Sequence, residues 1–107
     1  MGLNISDRGY MYLSWDAMGD DTTGDNAQVG NYADKTVQFA GTWGGATAVL
    51  EGSMDGATWF TLTDYQGAAI SVTANAMKAI SENPRFIRPV TSGGSGTDVD
   101  VIIGGRA

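Results

Sequence analysis

Asp20, Asp21, Asp25 and Asn26 gather hard oxygen donors in one glycine-bearing stretch, the kind of ligand set that holds calcium when a loop curls around the ion. The DxDxDG spacing of a calcium loop is not met, and a solvated acidic loop accounts for the same residues without a metal. Glu51 with Asp55, or Glu51 with Asp64, offers the paired carboxylates of glycoside hydrolysis, an acid and a base or nucleophile a fixed distance apart. A chain with 12 acidic residues contains such pairs by composition alone, and a domain this small has little room for a sugar cleft beside a core. Trp15, Trp43 and Trp59, with Tyr10, Tyr12 and Tyr65, supply flat rings of the sort that stack on sugars. Most belong in the core or an interface: Trp59 is expected to face inward, and Trp43, beside Gly44 and Gly45, is the better exposed candidate. Arg85 and Arg88 leave opposite faces of an extended strand, so they form no single clamp. One is expected to pair with Glu82, Asp98 or Asp100, and the other to reach a neighbouring subunit.

The chain has no cysteine and no histidine. Disulfide frameworks, thiolate metal sites and thiol nucleophiles are excluded, as are imidazole bases, imidazole ligands and every Ser-His or Cys-His arrangement. The expectation is a protein that is not an enzyme and has no catalytic residue, cofactor or metal. Six Lys and Arg against 12 Asp and Glu give a net charge of −6, which repels phosphate backbones, and no clustered basic patch offsets it. No nucleic-acid partner is expected. Apolar runs span only a few residues, far short of the ~20 that cross a bilayer, and no basic region precedes an apolar stretch at the N-terminus. A soluble chain with no membrane contact and no export signal is expected.

These side chains have to be held by strands. At 107 residues one domain buries roughly two thirds of its unfolded surface, and 16 glycines favour short strands and turns over helices. Residues 10–15, YMYLSW, read as a first strand after a mobile arm. Residues 16–34 are rich in Asp, Gly, Asn and Thr and read as a long acidic loop, the preferred contact arm. In residues 35–43, Val37 and Phe39 alternate with Thr36, Gln38 and Ala40, as in a half-buried strand. Residues 47–53 form another, with Thr47, Val49 and Glu51 facing opposite to Ala48, Leu50 and Gly52. Asp55-Gly56 then suggests a type I′ hairpin turn, which needs positive φ at both central residues, with residues 58–63 as partner strand. A short strand follows at residues 69–72; residues 73–80 allow a helical turn, or a strand at 77–80. Residues 86–90 alternate as a strand that Pro89 marks as edge or terminal, and Val99, Val101 and Ile103 define the last one.

Such spacing argues an all-β fold, an antiparallel β-sandwich or jelly roll of about seven to eight short strands. Residues 1–34 are assigned to an N-terminal arm with a short strand and acidic loop, and residues 35–107 to the β-sandwich core. The expected core is Phe39, Val49, Leu50, Trp59, Leu62, Ile70, Val72, Ile80, Ile87, Val99 and Val101.

TVQFAGTW, then ATAVLEGSMDGATWFTLTDYQGAAI and RFIRPVTSGGSGTDVDVIIGGR, cover residues 36–106 and carry a likeness to a known group. In order, they resemble small structural proteins of tailed-bacteriophage virions, in particular head decoration or cement proteins. The resemblance implies a non-catalytic protein on the capsid exterior, made in the host bacterial cytoplasm. It would bind the major capsid protein as a small homo-oligomer, a trimer or dimer, and stabilise the particle. Trp43, Arg85, Arg88, Asp20, Asp21 and Asp25 are the candidate interface residues, and Asp55 and Gly56 the structural turn. A receptor- or glycan-binding module on a fibre, or a head-tail or tail subunit, is the alternative.

Overall fold

The computed structural model describes the backbone of residues 2–7 and 10–106 and the side chains of residues 12–106. The described residues form ten strands, more than the seven to eight expected: β1 (Gly2–Asp7), β2 (Tyr10–Met18), β3 (Ala27–Gln28), β4 (Ala33–Thr42), β5 (Thr47–Ser53), β6 (Phe60–Thr61), β7 (Ser71–Val72), β8 (Ala76–Ala79), β9 (Phe86–Ser92) and β10 (Asp98–Arg106). No helix occurs among the described residues. One sheet runs β1-β2-β10-β4-β8 and the other β3-β9-β5-β6, with β7 also paired to β5. Every pairing is antiparallel. The fold is the expected all-β sandwich.

Alternation places the core. In β10, Val99, Val101 and Ile103 are fully buried while Asp98 and Asp100 are exposed, and in β4 Val37 and Phe39 point the same way. In β5 the inward set is Ala48 and Leu50. A period of two forces Val49 outward, so Val49 is half-buried where a core place was expected. Val72 and Trp59 are likewise only half-buried. Each fully buried Leu or Ile contributes about 1.5–3 kcal/mol through area removed from water.

Residues 12–34 are not an arm attached to a finished sandwich. Leu13, Trp15, Met18, Ala27 and Val29 are at most 4% exposed and belong to the same core cluster as Phe39 and Leu50. The expected boundary at residue 34 therefore crosses one continuous core. The segment expected to be a mobile arm forms β1 on the edge of β2. β2 runs beyond residue 15 through a bulge at Ala17, where φ is 54° and the N–H donates to Asp100 Oδ1 at 2.8 Å. Polar sequence concealed this structure, because the ordering there comes from side-chain bonds to loop backbone rather than from apolar periodicity.

Pro89 lies inside β9, which is flanked by β3 and β5. Its ring is tolerated because Leu50, its register partner, turns its own N–H and C=O away, toward Ile70 and Leu62. Pro89 thus faces its missing donor to the other side, where β3 has ended and only the Gly24 N–H reaches its carbonyl at 2.8 Å. The strand is central in the sheet but locally an edge.

Candidate functional site

The acidic loop is occupied with holding the fold. Asp20 Oδ1 accepts from the Thr97 N–H at 3.0 Å and Asp21 Oδ1 from the Gly93 N–H at 2.7 Å. Both carboxylates cap donors of the β9–β10 loop that no strand satisfies. Thr91 closes the joint, its hydroxyl donating to the Gly19 carbonyl at 2.8 Å and accepting from the Thr22 N–H at 3.0 Å. The Asp25 side chain is exposed, while its carbonyl accepts from Trp15 Nε1 at 2.9 Å. Gly24 is wedged between Pro89 and Trp15: a Cβ there would stand 2.8 Å from Pro89 Cδ and 2.9 Å from Trp15 Cδ1. Asp20, Asp21 and Asp25 therefore do not converge on one point, and the segment expected as a contact arm is pinned against the sandwich.

The remaining candidates are dispersed. Trp43 is half-buried against Phe39, with ring centroids 6.5 Å apart, and its Nε1 donates to Asn75 Oδ1 at 2.9 Å. It is therefore packed rather than displayed. Arg88 Nε donates to Glu51 Oε1 at 2.9 Å, and its guanidinium lies 4.1 Å from the centre of the Trp59 ring. Glu51 and Arg88 are direct cross-strand partners, which is why neither Glu82, Asp98 nor Asp100 is the counter-ion. The expected inward Trp59 instead lies on the outer face of the sheet under this arginine. Arg85 is exposed, 5.1 Å from the Phe86 ring centre, beside Gln28 and Tyr32. Asp64 is buried and accepts from the N–H groups of Gln66 and Ala68 at 2.9 and 3.1 Å. Each carboxylate of the two proposed hydrolytic pairs is thus committed to its own local bond.

The Asp55-Gly56 turn is real but of another type. Gly56 has φ of 77° while Asp55 does not lie at positive φ, and the connection spans residues 54–59. A longer loop needs a brace, which Asp55 provides. Its Oδ1 accepts from the N–H groups of Thr58 and Ala57 and from Ser53 Oγ, each at 2.9 Å. The Thr58 N–H, then the Ala57 N–H and the Ser53 hydroxyl, hold the carboxyl down to about 2. Asp-Gly signalled the turn but not its length.

This loop forms one wall of a groove of about 420 Å³. Leu62 and Pro84 close over the bare backbone of Gly52, and Met54 and Phe60 stand at the mouth, 69% and 68% exposed. Phe60 shares the inward side of its strand with Leu62, yet only Leu62 is covered. Asp55 and Glu82 lie on the rim. Glu82 accepts from the Thr63 hydroxyl at 2.6 Å and its N–H at 2.9 Å; burial works to raise its pKa, but the Thr63 bonds outweigh this and leave it below the ordinary carboxylate value. Beside the groove, Asn83 Oδ1 accepts from Lys35 Nζ at 2.8 Å, and the Tyr32 carbonyl does so at 2.9 Å. Lys35 is 1% exposed. Burial pushes its pKa below the usual lysine value, against the opposing charge of Asp34. The groove and Lys35 escaped the sequence reading. Lys35 did leave a signal, standing two residues before Val37 and four before Phe39 on the core-facing side of β4.

No protein-family model and no curated protein matches the chain. The structure is similar to the crystal structure of the SPBc2 prophage-derived protein YomS, with a TM-score of 0.72 over 97% of this chain and 100% of that one at 14% identity. Protein NMB1881 from Neisseria meningitidis overlaps with 95% of this chain and 80% of its own at a TM-score of 0.40 and 16% identity. A chain of the disulfide-linked pili of Bacillus endospore appendages overlaps with 92% of this chain and 84% of its own at 0.35 and 15% identity. The last two are too distant to bear on the argument; the first establishes a shared two-sheet fold along the whole of both chains.

Proposed function

We propose that this protein is a non-catalytic structural component of a tailed-phage particle, a decoration protein that attaches to the outer face of the capsid and reinforces it. The observation that carries the reading is the end-to-end fold likeness to a prophage-derived protein, joined to the ordered LEGSMDGATW and RFIRPVTSGG segments. The chemistry supports it. Asp20, Asp21, Asp55, Asp64 and Glu82 each accept backbone N–H groups, and Glu51 accepts from Arg88. These bonds leave the carboxylates bracing loops and strands. A cement protein needs nothing reactive: many copies, each adding a modest binding energy to the assembled shell, oppose the outward pressure of packaged DNA.

The test mixes purified protein with expanded, DNA-free capsids of the phage that encodes it and measures co-sedimentation and the capsid melting temperature. Saturable attachment at hundreds of copies with a raised melting temperature is the expected result. A dozen copies at a single vertex would instead assign a head-tail or tail role, and attachment to neither structure would overturn the reading.

A further inference from the structure

We infer that the groove between the β5–β6 loop and residues 82–84 is the docking site for a partner chain, and that its occupant is an extended segment carrying an apolar side chain flanked by cations. The inference rests on the virion reading for the partner's setting, but the groove argues for itself.

Its interior is apolar, built from Leu62, Pro84, Met54 and Phe60. Two large side chains are left about two-thirds exposed at the mouth, so a partner that covers them removes further apolar surface from water. A volume of about 420 Å³ lies within the range of ligand pockets, about 300–1,000 Å³, and admits one or two large side chains rather than a flat face. The rim is anionic. Asp55 and Glu82 both border the groove, and each keeps acceptor capacity beyond the bonds it makes to its own loop. Neither rim carboxylate has an ion-pair partner among the described residues: Arg88 pairs with Glu51, Lys78 with Asp64 at 3.9 Å, Lys35 with two neutral oxygens, and Arg85, exposed next to Pro84, lies over the Phe86 ring and pairs with no carboxylate. Charge complementarity therefore asks for Lys or Arg from outside. A second copy is a poor donor, since the chain's net charge is −6; meeting groove to groove would set Asp55 and Glu82 against their equivalents. Thr61 adds backbone specificity. Its register partner is Glu51, while the next residue, Leu62, gives its N–H to the Leu50 carbonyl of β5 and accepts at its own carbonyl from the Ile70 N–H, so antiparallel alternation turns the Thr61 N–H and C=O to the open edge. An extended segment alongside β6 meets that donor and acceptor together with the apolar mouth.

The experiment titrates the whole protein, labelled for amide resonances, with two capped synthetic peptides, Arg-Val-Leu-Val-Arg and Glu-Val-Leu-Val-Glu. The basic peptide is expected to shift amides of residues 52–62 and 82–84, to bind at least about tenfold tighter than its acidic twin, and to weaken as salt rises. Phe60→Ser is expected to weaken it about tenfold while leaving the melting temperature unchanged, because the ring is exposed. Equal affinity for both peptides, shifts elsewhere on the surface, or no shifts overturns the proposal. So does concentration-dependent self-association that Phe60→Ser abolishes, which would make a second copy the occupant. No particle is present, so capsid attachment failing while the basic peptide binds counts against the virion reading alone.

Discussion

Three donors meet Asp55 Oδ1, and they stabilise the ionised form of the carboxyl. Its folded pKa, about 2, lies below the value near 3.9 of an unfolded aspartate. The protonated loop therefore binds less well, and the contribution of Asp55 is complete above about pH 4 and lost as pH falls toward 2. Melting temperatures of the wild type and Asp55→Ala are expected to differ by a constant amount from pH 7 to 5 and to converge between pH 4 and 2. A gap that persists at pH 2 would contradict the brace. Arg88 makes a weaker case, because its side chain and that of Glu51 are 25% and 23% exposed. A double-mutant cycle on the pair is expected to yield about 0.2–1 kcal/mol, with Arg88→Ala also changing Trp59 emission as the cation leaves the indole face. Gly24 is the stricter position. Gly24→Ala drives a methyl into Pro89 and Trp15 and is expected to cost about 1–3 kcal/mol in urea unfolding.

Strands were legible wherever one face was apolar and the run was long. β5 falls on the expected residues 47–53, and β4 and β10 carry the expected inward rows of Val37 and Phe39, and of Val99, Val101 and Ile103. Paired substitutions in β5 test this face assignment: Leu50→Ala is expected to cost about 2–5 kcal/mol and Val49→Ala well under half of that. Comparable losses would mean the register is wrong. The residues that misled the reading share a physical cause. The two-residue β3 has too few positions for a period to show, whereas β6 and β7 fall inside the strands expected at residues 58–63 and 69–72 but are shorter, and residues 16–34 are ordered by Asp20, Asp21, Thr91 and Trp15 bonding to distant backbone. Pro89 signals an edge correctly at the level of one hydrogen bond and incorrectly at the level of the sheet. Pro89→Ala is expected to lower stability by no more than about 1 kcal/mol, since the restored N–H gains no strand partner.

The described residues share one core rather than forming a core with an appendage. Removing residues 16–34 deletes Met18, Ala27 and Val29 from the interior and Asp20 and Asp21 from the β9–β10 loop. The shortened protein is expected to show no cooperative melt by near-ultraviolet dichroism, and a normal transition would restore the idea of a detachable arm. The candidate site was the least readable part, because the groove is assembled from residues 52–62 and 82–84 and depends on how two distant turns meet. The position of β10 has a further effect. Asp98–Arg106 follows every other strand in sequence yet sits in the middle of its sheet, bonded to β2 on one side and β4 on the other. While a ribosome still holds that stretch, β2 and β4 have no neighbour to close between them. Nascent chains from which residues 98–106 have not yet emerged should therefore stay open to protease, with two bare edges exposed to chaperones or to one another in the interval.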